Sequence, residues 1–366
     1  MQEAKLLILV FVFLVSLFIS FGIVLLSNKI RAFITDNLHI GPQTFHQKPT
    51  PRLGGLAIFL SLCLALPLLF FKDKSLFPLF ALLILSSLPA FLAGIIEDLT
   101  KSLSPKKRLA IIFLSGLSFV FLTGFSVSKV DIPYVDHLFT LQVFSLLFTA
   151  TALAGLVNAY NIIDGFNGLA SMTAVLNLLA IAYVAYKHND LTLLYVSLLI
   201  VSAIIGFFVL NYPYGLIFLG DGGAYLIGFL VGALSILLVE RNPQVSPWFA
   251  LMVNSYPVVE TLFSMYRRRF LKKFPTMMPD ALHLHTLVYR IYTKKFFKAK
   301  KSLFRNPLTS TIMWIINLIA LIPAIVFHSS SPMLALCFAL YASFYVFLYF
   351  RLLRKKMPLW LKNTTY

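Results

Sequence analysis

The stretch Asn158 to Ala170 reads Asn-Ala-Tyr-Asn-Ile-Ile-Asp-Gly-Phe-Asn-Gly-Leu-Ala, with Asn158, Asn161, Asp164 and Asn167 recurring at intervals of three between two long apolar runs. A helix that continues to Asp164 sets the first three of these about a turn apart, with their oxygens on one face. Oxygen donors without nitrogen or sulfur suit a hard cation such as Mg2+. The competing reading is a polar loop that caps two helices, with Asn and Asp at N-termini and Gly165 and Gly168 at C-termini. A cap needs one such residue, and this stretch supplies four.

Other clusters carry chemistry of the same kind. Glu97 and Asp98 stand side by side at the end of an apolar run. Adjacent carboxylates repel and resist dehydration unless a cation or a proton resides with them, which favours a reactive site. Ser104-Pro105 predicts an N-cap with proline at the first helical position, placing Lys106, Lys107 and Arg108 in the first turn. Positive charge there opposes the helix dipole and points to a bound anion, although charge that merely orients a membrane chain explains Lys106 and Lys107 equally well. Lys48 and Arg52 flank a Pro-x-Pro segment just before Gly54-Gly55, two fixed cations beside backbone that a phosphate could approach. Ordinary accumulation of cations at a membrane boundary is the alternative. Asp221, within Phe218-Leu219-Gly220-Asp221-Gly222-Gly223, is the only charge between Asp190 and Glu240. Its glycine neighbours predict close approach of a ligand, with a plain N-cap as the alternative. His283 and His285 lack a third soft ligand for zinc and fit phosphate binding or proton donation, or a structural pair.

The elements that position these residues must be membrane helices. Of 366 residues, 59% are hydrophobic, too much apolar surface for a water-soluble core. Eleven nearly uncharged spans can be read, at 6–26, 53–71, 76–96, 109–125, 138–157, 168–186, 191–210, 222–239, 247–264, 308–327 and 332–350. The fold class is therefore all-α and polytopic, one transmembrane domain over 1–366. Eleven spans put 25 of the 31 Lys and Arg on one side and 6 on the other. Because basic residues accumulate on the cytoplasmic side, the N-terminus is expected outside and the C-terminus in the cytoplasm. Every cluster above then falls on the cytoplasmic side. The basic segment 265–307 and the formal charge of +18 predict attraction to anionic lipid, with an interfacial helix over Lys294 to Arg305 and no call for nucleic acid. Cys63 and Cys337 both lie in apolar spans, so neither a disulfide framework nor a Cys/His metal site is expected.

Phe45 to Gly55, Glu97 to Leu109, Asn158 to Ala170, Phe218 to Gly223 and Pro279 to His285 occur in the order and spacing of a known family. In these segments the chain resembles the polyprenyl-phosphate N-acetylhexosamine-1-phosphate transferases, glycosyltransferase family 4, over about residues 45–290. The resemblance implies transfer of a HexNAc-1-phosphate, GlcNAc-1-phosphate by default, from a UDP-sugar to undecaprenyl phosphate with release of UMP. That would initiate a lipid-linked surface glycan such as a lipopolysaccharide O-antigen. It also implies Mg2+, with Mn2+ as a substitute, and a bacterial inner membrane; a homodimer is a candidate assembly that the sequence leaves open. By position, Asn161 and Asp221 match residues that hold the metal, and Phe218 matches an aromatic stacked on uracil. Gly165 and Asn167 match contacts to the uracil edge. Glu97 and Asp98 match the acidic pair at the reaction centre, Arg108 a basic residue near the phosphates, and His283 and His285 the histidine motif beside the diphosphate. Asp164 joins the candidate catalytic carboxylates, and Lys48, Arg52 and Asn158 the candidate substrate contacts. The chain departs from the family pattern at Glu97, where Asp is usual, at Asn167, often Asp, and at Thr286, often His. Two alternatives stand beside this reading: a polytopic secondary transporter of an anionic metabolite, and a non-catalytic paralogue.

Overall fold

Local chemistry sets several helix boundaries where expected. Ser104 caps the helix Pro105–Thr123, its side chain accepting from the Lys107 amide at 3.4 Å, and Gly124 closes it in the left-handed conformation. Asp190 likewise caps Leu191–Asn211 by accepting from the Leu193 amide. The computed structural model describes residues 2–34, 50–271, 282–293 and 304–355, and within them the protein is all helix, with no strand. The helices are α1 (Gln2–Ile34), α2 (Gly54–Lys72), α3 (Phe77–Thr100), α4 (Pro105–Thr123), α5 (Gln142–Ile163), α6 (Leu169–Lys187), α7 (Leu191–Asn211) and α8 (Gly220–Arg241). They continue with α9 (Pro247–Val253), α10 (Ser255–Tyr266), the short α11 (Leu284–Val288), α12 (Arg305–Val326) and α13 (Ser331–Lys355).

Among the described residues nine helices are long and apolar enough to cross a membrane, against the eleven expected spans. The two that differ do so for separate reasons. The span 109–125 is a helix, α4, but its first turn carries Lys106, Lys107 and Arg108. The span 247–264 is broken into α9 and α10 at Asn254. Pro257 has no N–H for the carbonyl of Val253, which ends α9 there. The Asn254 amide repairs part of the break, donating to the carbonyl of Ala250 and the hydroxyl of Ser235 and accepting from Asn177.

Helix α8 is the axis of the bundle: the apolar window that qualifies it as a span is wholly buried, and α2, α3, α5, α6 and α9 surround it. Its first turn sits between α2 and α3 closely enough that only glycine fits on both sides. A Cβ on Gly55 would stand 2.2 Å from the Gly223 nitrogen, and one on Gly94 would stand 2.4 Å from the Gly222 Cα. The amides of Gly54 and Gly55 are spent on the carbonyls of Phe218 and Leu219, both at 2.9 Å. The expectation that these glycines admit a ligand is thus corrected: neighbouring backbone fills the space. Gly94→Ala should accordingly destabilise the bundle by about 1–3 kcal/mol, the usual range for forcing extra volume into a packed core. Thermal unfolding in detergent should show a midpoint several degrees lower, and an unchanged midpoint would refute the contact.

Candidate active site

The α2–α3–α8 junction brings residues 46 to 169 positions apart onto one end of the bundle. Asp98, in the last turns of α3, points at the start of α8. Its Oδ1 accepts from the Asp221 amide and its Oδ2 from the Gly222 amide, each at 2.9 Å. The first amides of a helix have no partner within it, so Asp98 caps α8 from another helix. Gly220, at φ +76°, makes the turn into α8, and a Cβ there would lie 2.6 Å from Asp98 Oδ2. Asp221 therefore does not cap its own helix, contrary to the N-cap alternative, and its carboxylate is left to face the cleft.

Two guanidiniums flank that carboxylate. Arg108 Nη1 lies 3.1 Å from Asp221 Oδ2 and 3.6 Å from Glu97 Oε1, and Arg52 Nη2 lies 4.0 Å from Asp221 Oδ1. The other oxygen of Glu97 accepts from the Leu103 amide and so fixes the chain between α3 and α4. Tyr225, one turn beyond Asp221, contacts the same arginine. Asp164 ends α5, as the spacing predicted, half-buried within electrostatic range of Arg52, Asp98 and Asp221. Burial pushes its carboxyl up to about 7; Arg52 opposes the shift, while Asp221 and Asp98 add to it.

The loop after α5 is held by residues that single-sequence reasoning missed. The Asn167 amide N–H donates to Asn306 Oδ1, and the Gly168 N–H donates to Asn211 Oδ1. The Asn167 side chain, 6% exposed, donates to the carbonyl of Pro213, so its NH2 fastens the turn that leads to Phe218. Phe218 is half-buried, its amide donating to Pro51. Gly165 lies beneath His285, whose Nε2 would be 3.2 Å from a Cβ there. His283 and His285 are both buried and lie nearly parallel, their ring centres 5.2 Å apart at 17°. Glu260, absent from the candidates, accepts from His283 Nδ1 at 2.9 Å. A lone carboxylate inside an apolar run was the available signal.

Asn161 is half-buried one turn before Asp164, while Asn158 is exposed on the α5 face that lines a large groove. The groove encloses about 1240 Å³ between α4, α5, α8, α9 and α10. It runs from Lys106 in the first turn of α4 to Lys129 and Glu240 at the far end, and its walls are largely apolar, with Leu109, Phe113, Trp248 and Leu262 among them. Lys48 lies outside the described residues, as does most of Lys294 to Arg305. Asp98, Asp164, Asp221, Glu97, Arg52 and Arg108 form one site, with His285 standing over Gly165 at its side and His283 stacked behind it. Among the described residues no three of His, Cys, Asp and Glu are grouped as a metal site; Asp221, facing the cleft, and Asn161 are the oxygen donors that would suit Mg2+.

Comparison with known proteins places this site in context. A model of glycosyl transferase family 4 matches residues 80–239. A probable undecaprenyl-phosphate N-acetylglucosaminyl 1-phosphate transferase of Bacillus subtilis (strain 168) is 29% identical over 244 residues, 66% of each chain. A phospho-N-acetylmuramoyl-pentapeptide-transferase of Streptococcus suis (strain 05ZYH33) is 29% identical over 70% of this chain and 72% of its own. The protein of that name from Streptococcus pneumoniae serotype 2 (strain D39 / NCTC 7466) is 30% identical over 61% of this chain and 68% of its own. The chain thus spans about two thirds of the length of these relatives.

Proposed function

The chain belongs to glycosyl transferase family 4, and from that membership we propose that it transfers a HexNAc-1-phosphate, GlcNAc-1-phosphate by default, from a UDP-sugar to undecaprenyl phosphate. The observation that carries this reading is that the first turn of α4 serves both the apolar groove and the charged cleft. Lys106 lines the groove, whose apolar walls suit a prenyl tail, and Arg108, two residues on, faces Asp221 and would receive the phosphate. The basic face of the chain supports placing this end in the cytoplasm.

A phosphate monoester has a second pKa of about 6, so near neutral pH the acceptor is already mostly dianionic and little deprotonation is needed. Its oxygen forms a bond to the sugar-bearing phosphorus, and the bridging P–O bond to the uridine-bearing phosphate breaks, releasing UMP. Repulsion between two anions dominates the barrier. Arg52 and Arg108 counter it, and because both already face Asp221 they are ordered before substrate arrives. Asp221 and Asn161 would hold Mg2+, which would neutralise charge on the diphosphate. Asp98 holds α8, and with it Asp221, in place.

Purified protein given undecaprenyl phosphate, Mg2+ and either UDP-GlcNAc or UDP-MurNAc-pentapeptide should release UMP with one donor and form the matching lipid diphosphate. A chelator should stop release and Mg2+ restore it. A transporter or a non-catalytic paralogue would release none with either donor.

A further inference from the structure

Glu260 is 1% exposed on α10, and the diphosphate cradle makes no use of it. An isolated buried carboxylate is expensive unless something holds it there. Here the holding group is the histidine segment. Oε1 meets His283 Nδ1 at 2.9 Å, and the Leu284 amide donates to both oxygens at 3.4 and 3.3 Å. The buried rings of Tyr256, Tyr341 and Tyr345 enclose the pair, so the last helix, α13, closes the pocket. An ionised carboxylate only accepts, which requires the His283 proton on Nδ1. His283 in turn stacks on His285, and His285 stands over Gly165 with Phe166 at its edge, 5.5 Å between ring centres. The opposite face of α10, with Val258, Thr261, Leu262 and Met265, lines the apolar groove. One helix therefore carries both a wall of the groove and the anchor of the histidines.

We propose that Glu260 is a positioning residue for the transfer: it fixes His283 with Nδ1–H directed at its carboxylate, leaves Nε2 for the diphosphate, and through the stacked ring sets His285 above Gly165. The inference rests on the reading of the site as a sugar-phosphate transferase. Groups that orient an active imidazole through its second nitrogen typically contribute about 10- to 100-fold. Such a residue acts on kcat, because the ring it orients matters most as charge redistributes in the transition state.

The test compares full-length wild type with Glu260→Gln and Glu260→Asp, using UDP-GlcNAc or UDP-MurNAc-pentapeptide, undecaprenyl phosphate and Mg2+. Nitrogen-15 NMR of histidine-labelled protein runs alongside, with His283→Asn to assign the signal. The wild type should show His283 protonated at Nδ1. Glu260→Gln should lower kcat by about 10- to 100-fold with the donor KM within about threefold, and Glu260→Asp should recover part of the loss. Unchanged kcat in Glu260→Gln, or a loss confined to KM, would overturn the proposal. So would a wild-type His283 carrying its proton only on Nε2, a result that stands even where the variants fail to fold. Wild type that releases no UMP from either donor sinks the transferase reading instead, while the NMR signal still reports on Glu260.

Discussion

Asn in place of Asp221 should lower UMP release by about 10³-fold or more, with the unfolding midpoint of the protein nearly unchanged. The side chain carries none of the load of its own helix, because Asp98 supplies the cap and α8 is packed all round by its neighbours. What Asn removes is one negative charge between Arg52 and Arg108, in a cleft whose other carboxylates include an Asp164 held near 7. Loss of a cation site at a transferring phosphoryl group is worth several kcal/mol, and about 4 kcal/mol corresponds to 10³ in rate. Magnesium titration by calorimetry should show the same variant losing measurable binding. Turnover within tenfold of wild type would show that Asp221 is not the metal ligand.

Much of this site was legible because its pieces obey local rules. Asn161 and Asp164 are a turn apart on one helix, and Ser104-Pro105 begins a helix that carries Arg108; periodicity and capping need only nearby residues. The parts that escaped depend on pairing across the chain. Gly55 reads as open backbone, yet it is required by Gly223 on a helix more than a hundred residues away, and nothing local marks Gly94, which Gly222 requires in the same way. Glu260 draws no reading from its neighbours in sequence, because its partners His283 and Leu284 arrive from beyond the basic segment. The span read at 247–264 as continuous is broken, and that the break falls at Asn254 depends on Pro257 together with Asn177 and Ser235 from α6 and α8. Local spacing identifies which residues are polar for a reason, and packing decides which partner each one serves.

Asp98 is where the two kinds of information yield different chemistry. Adjacency to Glu97 marks it as a reactive carboxylate, whereas the structure commits each of its oxygens to an amide of α8. Asp98→Asn should therefore act as a structural lesion at the reaction centre. The Asn side chain presents one oxygen and one NH2 group, so either the Asp221 or the Gly222 amide must face a donor. Hydrogen bonds to a charged acceptor are worth about 1.5–3 kcal/mol, and a buried N–H left unpaired costs a similar amount. The start of α8 then shifts and moves Asp221 relative to Arg108, from which it now lies 3.1 Å. The expected result is a kcat about 100-fold lower together with a lower unfolding midpoint, since misplacement of a reacting group by about 1 Å is enough for that loss. The pH dependence of the residual activity separates the two roles. A positioning Asp98 leaves the shape of the profile as in wild type, because the acceptor phosphate still titrates. A general base would take its limb of the profile with it, and an Asp98→Asn enzyme with a flattened acid limb and an unchanged midpoint would return Asp98 to proton transfer.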